Sequence, residues 1–356
     1  CFKNKETIKG NGNFIIDPYA VVTARMQNTG QIGLFIVPSW LPGDKFKERR
    51  NGAVINRLKR KLGTSELATA EIDYQGAVAY PIGSPDKGVA IAVGIVLTRS
   101  RLDIGLGCSA SMIRTAREAL LYSSFREVFG RKIHEFPMAR GQLRTLEQTA
   151  KRTAAGAFKV YAEFLRLQAP KEENISEEGW KKRKFDLREL ILLQKITASK
   201  ESVDMTRLAI SILGGNGIIE DFSFLPRQLR NGMVSEVWEG PRNVLLTQIH
   251  RDLKRASSWY SPHEFLSNLL PDRPKGEIKE LAQELEACLT APLLGEPDED
   301  SIRWAKTWEN LCEQIFKAYQ IQALSEVPDE PLVRQDILQS LESGPPLNKI
   351  LEEVGR

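Results

Sequence analysis

The chain has 356 residues, 42% of them hydrophobic and 27% charged, a globular composition with enough length for two or three domains. Its four cysteines (Cys1, Cys108, Cys288, Cys312) form no C-x-x-C pair and only three histidines are present, which argues against both a disulfide framework and a cysteine/histidine metal site. The net charge of +4 hides an asymmetry: residues 1–255 hold 41 Lys/Arg against 27 Asp/Glu (+14), and residues 256–356 hold 9 against 19 (−10). A basic body attracts phosphates of a nucleotide, a coenzyme or nucleic acid, whereas an acidic tail is unsuited to DNA.

The first residue is cysteine, and Cys1-Phe2-Lys3-Asn4 opens without a cap or helix signal. The sequence therefore reads as the downstream part of a longer protein. No apolar stretch reaches the roughly 18 residues of a membrane span, and no signal-peptide pattern opens the chain. A soluble, cytoplasmic protein without a membrane partner is expected.

Up to about residue 85 the pattern is β. Tyr19–Arg25 and Ile32–Pro38 are short apolar or β-branched runs ended by turn residues, and Ala68–Tyr74 alternates as a half-buried strand does. A small barrel or sandwich follows. From Gly88 the texture becomes helical, with predicted helices over Val89–Val128, Met138–Gln168, Lys184–Leu213 and Asn243–Arg255. The polar segment Ala169–Asn174 reads as a loop, and four antiparallel helices of this kind make a bundle. After Ser257, prolines break shorter helical pieces such as Ile278–Leu289 and Ile302–Leu324, which reads as an appended helical region.

Glu239 stands in Val237-Trp238-Glu239-Gly240, with Val234 before it and Val244, Leu245 and Leu246 after. Most glutamates are solvated surface residues. An apolar wall, however, suits a carboxylate to take a weakly acidic proton near neutral pH. About two dozen residues upstream, Gly214-Gly215-Asn216-Gly217 closes a long helix. It reads either as a glycine cap or as side-chain-free backbone that a dinucleotide can approach. It is no Rossmann fingerprint, because it ends a helix instead of opening one. Arg126, within Ser124–Arg131, suits a solvated helix face and a phosphate contact equally. The basic runs Lys45–Arg50, Arg57–Lys61 and Lys181–Lys184 lack the interleaved aromatics of a single-strand groove and read as solvated faces, with a duplex-binding stripe as the alternative.

Taken in order, these segments resemble the acyl-CoA dehydrogenase flavoprotein family. Tyr19–Pro38 is similar to its strand pair, Lys61–Thr64 to its K-x-G-x turn, Arg126–Gly130 to its R-x-x-F-G, Ile212–Gly217 to its I-L-G-G-x-G and Trp238–Gly240 to its aromatic-E-G segment. Trp238, Asn243 and the long extension resemble the AidB-like branch. The resemblance implies an α+β, mainly α fold: a partial middle β-domain (1–87), a four-helix FAD/acyl-CoA dehydrogenase domain (88–255) and an acidic helical extension (256–356). It also implies that an N-terminal helical domain precedes residue 1, and that this fragment alone is inactive and binds FAD poorly.

The implied chemistry is α,β-dehydrogenation of an acyl-CoA thioester: a base removes the α-proton and the β-hydrogen leaves as hydride to flavin N5. Glu239 matches the base. A second lineage carries its base beside the arginine matching Arg101, where this chain has Ser100. Arg126 and Phe129 match contacts to FAD from a partner subunit, Gly214 and Gly215 the glycine turn beside that cofactor, Asn243 a polar FAD contact, and Arg101 an arginine of the acyl-CoA pocket that structural roles suit as well. Pro241 departs from the family's usual threonine and offers neither hydroxyl nor N–H. Implied partners are acyl-CoA, a second or further copy of the chain as homodimer or homotetramer, and an electron-transfer acceptor. The alternative is an AidB-like DNA-binding flavoprotein with vestigial dehydrogenation, and a further one is a scaffold in which the bundle serves only oligomerisation.

Overall fold

The computed structural model describes residues 10–13, 19–44, 46, 49–169, 175–291 and 297–327. The chain opening at Cys1–Asn4, part of the basic run at 45–50, the loop over 170–174 and the end of the extension lie outside the described residues.

Two three-stranded antiparallel sheets come first. One has the order β1 (Gly10–Asn13), β5 (Thr69–Tyr74), β4 (Ala53–Leu58); the other has the order β2 (Tyr19–Arg25), β3 (Ile32–Pro38), β6 (Tyr80–Pro81). β2 and β3 pair from Tyr19 opposite Pro38 to Arg25 opposite Ile32, so Val22 and Ala24 point inward and Val21 outward. The fully buried Asn51 staples this region: its Nδ2 donates to the carbonyls of Pro38 and Val78, and its Oδ1 accepts from Val78 N, each at 2.8 Å. β4 falls on part of the run read as a solvated basic face. Its side chains from Val54 to Leu58 are indeed exposed, which hides a strand from any burial-based pattern.

The helices follow as α1 (Gly88–Ile91), a π-helical stretch Ala92–Leu97, α2 (Thr98–Phe125), α3 (Pro137–Gln168), α4 (Glu177–Leu213), α5 (Leu225–Val237) and α6 (Arg242–Ala256). Cross-contacts fix their directions. Ser111 meets Ser202 while the Gly105 backbone abuts Gln194, so α2 and α4 run parallel; Gly232 packs on Val203 whereas Lys195 reaches Gly240, so α5 runs antiparallel to α4. α6 continues in that direction, with Arg242 near Ile196 and Asp252 paired with Arg188. The fourth strut of the bundle is therefore α5 and α6 together, interrupted at Trp238–Pro241. Two antiparallel-to-α4 pieces replace the single helix expected from Asn243.

The extension forms α7 (Pro262–Leu269), α8 (Lys275–Thr290) and α9 (Glu299–Ser325), the last begun by a capping box in which Asp298 and Ser301 satisfy each other's backbone N–H. These helices do not stand apart. One buried cluster runs from Leu102 and Val160 through Leu187–Ile196 and Leu245–Ala256 to Phe265, Leu285, Leu311 and Phe316. No helix among the described residues is long and apolar enough to cross a membrane.

Candidate active site

The interruption between α5 and α6 builds the site. Trp238 ends α5 with extended backbone, Glu239 takes a left-handed φ of 57° and Gly240 a φ of 108°, and Pro241 caps α6, its carbonyl receiving Val244 N and Leu245 N. A non-glycine residue in that region carries backbone strain of order 1 kcal/mol or more and persists only where its neighbours hold it. They do so here. Arg101, buried on α2, donates from Nε to the Glu239 carbonyl at 3.0 Å, and burial lowers its pKa against the opposing pull of the Glu239 charge. Ser100 Oγ donates to Glu239 Oε1 at 2.9 Å.

Glu239 is half-buried and lines a cavity of about 1390 Å³ between the sheets and the bundle. Val22 and Leu34 on the sheet side, Val96 of the π-helical stretch, and Ser100, Cys108 and Trp238 on the bundle side form much of its wall. This volume exceeds an ordinary small-ligand pocket of about 300–1,000 Å³. Apolar side chains from the sheets and the π-helical stretch line it together with polar ones from the helices, of which Ser100 reaches the carboxylate. Cys108 is no nucleophile at neutral pH, since burial pushes its thiol up to about 11.

A turn carried by the sheets closes the cavity's rim. Lys61 donates to Leu67 O at 2.7 Å and lies 5.6 Å from the centre of the Trp238 ring. Thr64, with φ 51°, donates from its backbone N to Asn231 Oδ1 on α5 at 2.6 Å. Gly63 rests against α5 so closely that a Cβ there would lie 2.5 Å from the Arg230 carbonyl group. The K-x-G-x turn is thus the joint between β-structure and α5, the helix that leads to Glu239.

A second cavity, about 580 Å³, brings together Arg126, Gly214 and Gly215 with Tyr122, Gln142 and Asn216. The predicted first helix stops at Phe125; Glu127–Val128 (β7) and Arg131–Lys132 (β8) form a hairpin whose turn residues, Phe129 and Gly130, both have positive φ. Phe129 projects from its tip, 98% exposed. Gly214 also has positive φ, as a glycine cap requires, and Gly215 has open space where a side chain would be. The Arg126 guanidinium has no carboxylate partner among the described residues. An anionic, planar group fits this combination of bare backbone and unpaired cation.

Asn243 and Arg101 are not brought into either cavity. Asn243 is exposed on the first turn of α6, and the guanidinium of Arg101 serves the backbone of Glu239. Among the basic runs, Arg57 pairs with Glu71 at 2.9 Å, Lys182 with Glu178 and Glu264 at 2.6 Å each, and Lys181 sits 3.7 Å over the Trp259 ring, so several of these charges are engaged within the chain.

Two functional-looking residues escaped the sequence reading. Lys195, fully buried on α4, donates to Glu236 O at 2.8 Å and Gly240 O at 2.7 Å. Arg242 binds Glu309 and Glu313 of α9 and donates to Ile196 O at 3.4 Å. A signal for Lys195 existed: it is the one charge in the apolar run Leu190–Ile196.

Sheets packed on a helical bundle, with a carboxylate at a helix break facing a ligand-sized cavity and a glycine turn beside an arginine that has no carboxylate partner among the described residues, give the chain two candidate ligand sites. Residues 86–254 match the family model of the acyl-CoA dehydrogenase C-terminal domain. The chain is similar to acyl-CoA dehydrogenase family member 11 of Caenorhabditis elegans (33% identity over 56% of this chain and 31% of that protein). It is similar also to the putative acyl-CoA dehydrogenase AidB of Escherichia coli (27% identity over 66% of this chain and 40% of that protein). The fold matches the crystal structure of C. elegans ACDH-11 in complex with C11-CoA, with a TM-score of 0.65 at 22% identity over 90% of this chain and 60% of that one. The chain thus spans well under half the length of these two curated relatives.

Proposed function

We propose that this chain forms the catalytic core of an FAD-dependent oxidoreductase that removes hydrogens from the α and β carbons of an acyl-CoA thioester. The observation that carries the reading is Glu239, held in a left-handed break between α5 and α6 with one oxygen bonded to Ser100 and facing the large cavity. Its other oxygen has no donor among the described residues and is the atom suited to receive a proton. Glu239 acts as the base for the α-proton; Trp238 and the apolar lining exclude water from the charge that develops on the thioester. When bound, FAD supplies the two-electron acceptor. Arg126, Gly214 and Gly215 would hold its diphosphate and adenine end, and Phe129, exposed on its hairpin, would contact the FAD of a second copy of the chain. The ACDH-11 complex with C11-CoA, a relative sharing the fold, supports an acyl-CoA ligand class.

The test is flavin reduction in the intact gene product. Mixing the purified yellow protein with acyl-CoAs of graded length bleaches its visible absorption, and Glu239→Gln slows that bleaching by at least about 10³-fold, within the range general-base removal costs. Failure of every thioester to bleach the flavin overturns the reading.

A further inference from the structure

The break that places Glu239 creates a problem in the bundle. α5 stops at Val237, so its last carbonyls lose their intrahelical partners, and the turn over Glu239–Gly240 adds another. Lys195, from the adjacent α4, supplies a donor to two of them. Its fully buried ammonium donates to Glu236 O on one side of the break and Gly240 O on the other, while Arg101 Nε takes the Glu239 carbonyl between them. Three carbonyls within five residues are thus held by two buried cations from two different helices.

Burying an ammonium is costly, and for stability alone an uncharged donor or an unbroken helix would do better. The cost is visible as a lysine whose pKa burial depresses to about 8, with the nearby Cys108, Glu236 and Glu239 pulling the other way. What the charge achieves is geometric. A positive group at the C-terminus of α5 complements the helix dipole, and it spans the break from a neighbouring helix.

We propose that Lys195 is a positioning residue for the reaction: by clamping Glu236 O and Gly240 O it holds Glu239 in its left-handed conformation with the carboxylate turned into the cavity. The proposal rests on the reading of Glu239 as the base, but its first test does not. In Lys195→Met, backbone amides of residues 236–242 exchange hydrogen about tenfold faster or more, while α4 peptides outside the contact keep wild-type protection. In the flavin assay kcat falls about 10- to 100-fold while KM for the acyl-CoA stays within about twofold, the pattern of a misplaced reacting group with intact ligand binding. Lys195→Gln, which retains one neutral donor, gives intermediate exchange and intermediate kcat, and is the variant to read if Lys195→Met does not fold. Unchanged exchange over 236–242, or a raised KM with unchanged kcat, overturns the proposal. If the wild-type flavin is reduced by no thioester, the function proposed above fails while the exchange measurement still decides whether Lys195 holds the segment.

Discussion

Ser100 on α2 and Glu239 at the α5–α6 break, 139 residues apart in sequence, meet through a hydrogen bond of 2.9 Å. Both residues line one cavity, and the hydroxyl serves the carboxylate. Removing the hydroxyl leaves Glu239 Oε1 without a donor. A hydrogen bond to a charged group contributes about 1.5 kcal/mol or more, close to a factor of ten in rate. Ser100→Ala is expected to slow flavin reduction by about tenfold with little change in thermal stability, measured by stopped-flow absorbance alongside a melting curve.

The glycines of the two turns separate by the same logic. Gly63→Ala drives a Cβ into the main chain of Arg230 and displaces the Thr64–Asn231 bond, with a cost of about 1–3 kcal/mol. Gly215→Ala meets only open space, so stability should change by less than about 0.5 kcal/mol. If Gly215 cradles the cofactor, the same alanine weakens FAD retention. Urea unfolding of both variants and flavin titration of the second check these outcomes.

Arg242 links the reactive segment to the extension through Glu309 and Glu313. A cycle of Arg242→Met, Glu313→Gln and the double variant should give a coupling of at least about 0.5 kcal/mol, as contacting charges in one network do. Additive effects would show that the contact contributes nothing to stability.

Acidic groups between α4 and the helices after it set a pH dependence. Burial raises Asp186 to about 7 despite the hydroxyl of Tyr260 at 3.0 and 3.1 Å, and burial also holds Glu189, whose two oxygens have no hydrogen-bond partner, well above the usual carboxylate range. Between about pH 4 and pH 7 the native Asp186 keeps a proton that the unfolded chain has released, so raising pH through this window favours unfolding. The stabilising contribution is present below the window and is lost as pH rises through it. Asp186→Asn should flatten the fall in Tm over that range.

The helices and the carboxylate were legible in the sequence because their signals are local: long stripes of Leu and Ile at three- and four-residue spacing, and a glutamate among apolar neighbours. The helix over 225–237 was not, since Arg227, Gln228, Arg230 and Asn231 mask its narrow buried face. The hairpin at Phe129 was read as helix because its positive φ values are invisible without a glycine at both turn positions. Asn243 fits a sequence pattern, yet its place on the outer first turn of α6 leaves it in neither cavity. Lys195 could be given its place only once the break in the fourth strut was known, because its two partners are backbone atoms more than forty residues away.

The apolar cluster that begins at Leu102 and ends at Tyr319 carries one more implication. Stopping the chain after Ala256 would remove Phe265, Leu285, Leu311 and Phe316 from the cluster that also holds Leu190, Ile249 and Leu253, so shortened versions should associate or be degraded, not merely lose an accessory part. Melting of α2–α6 and of α7–α9 should then coincide in a single transition.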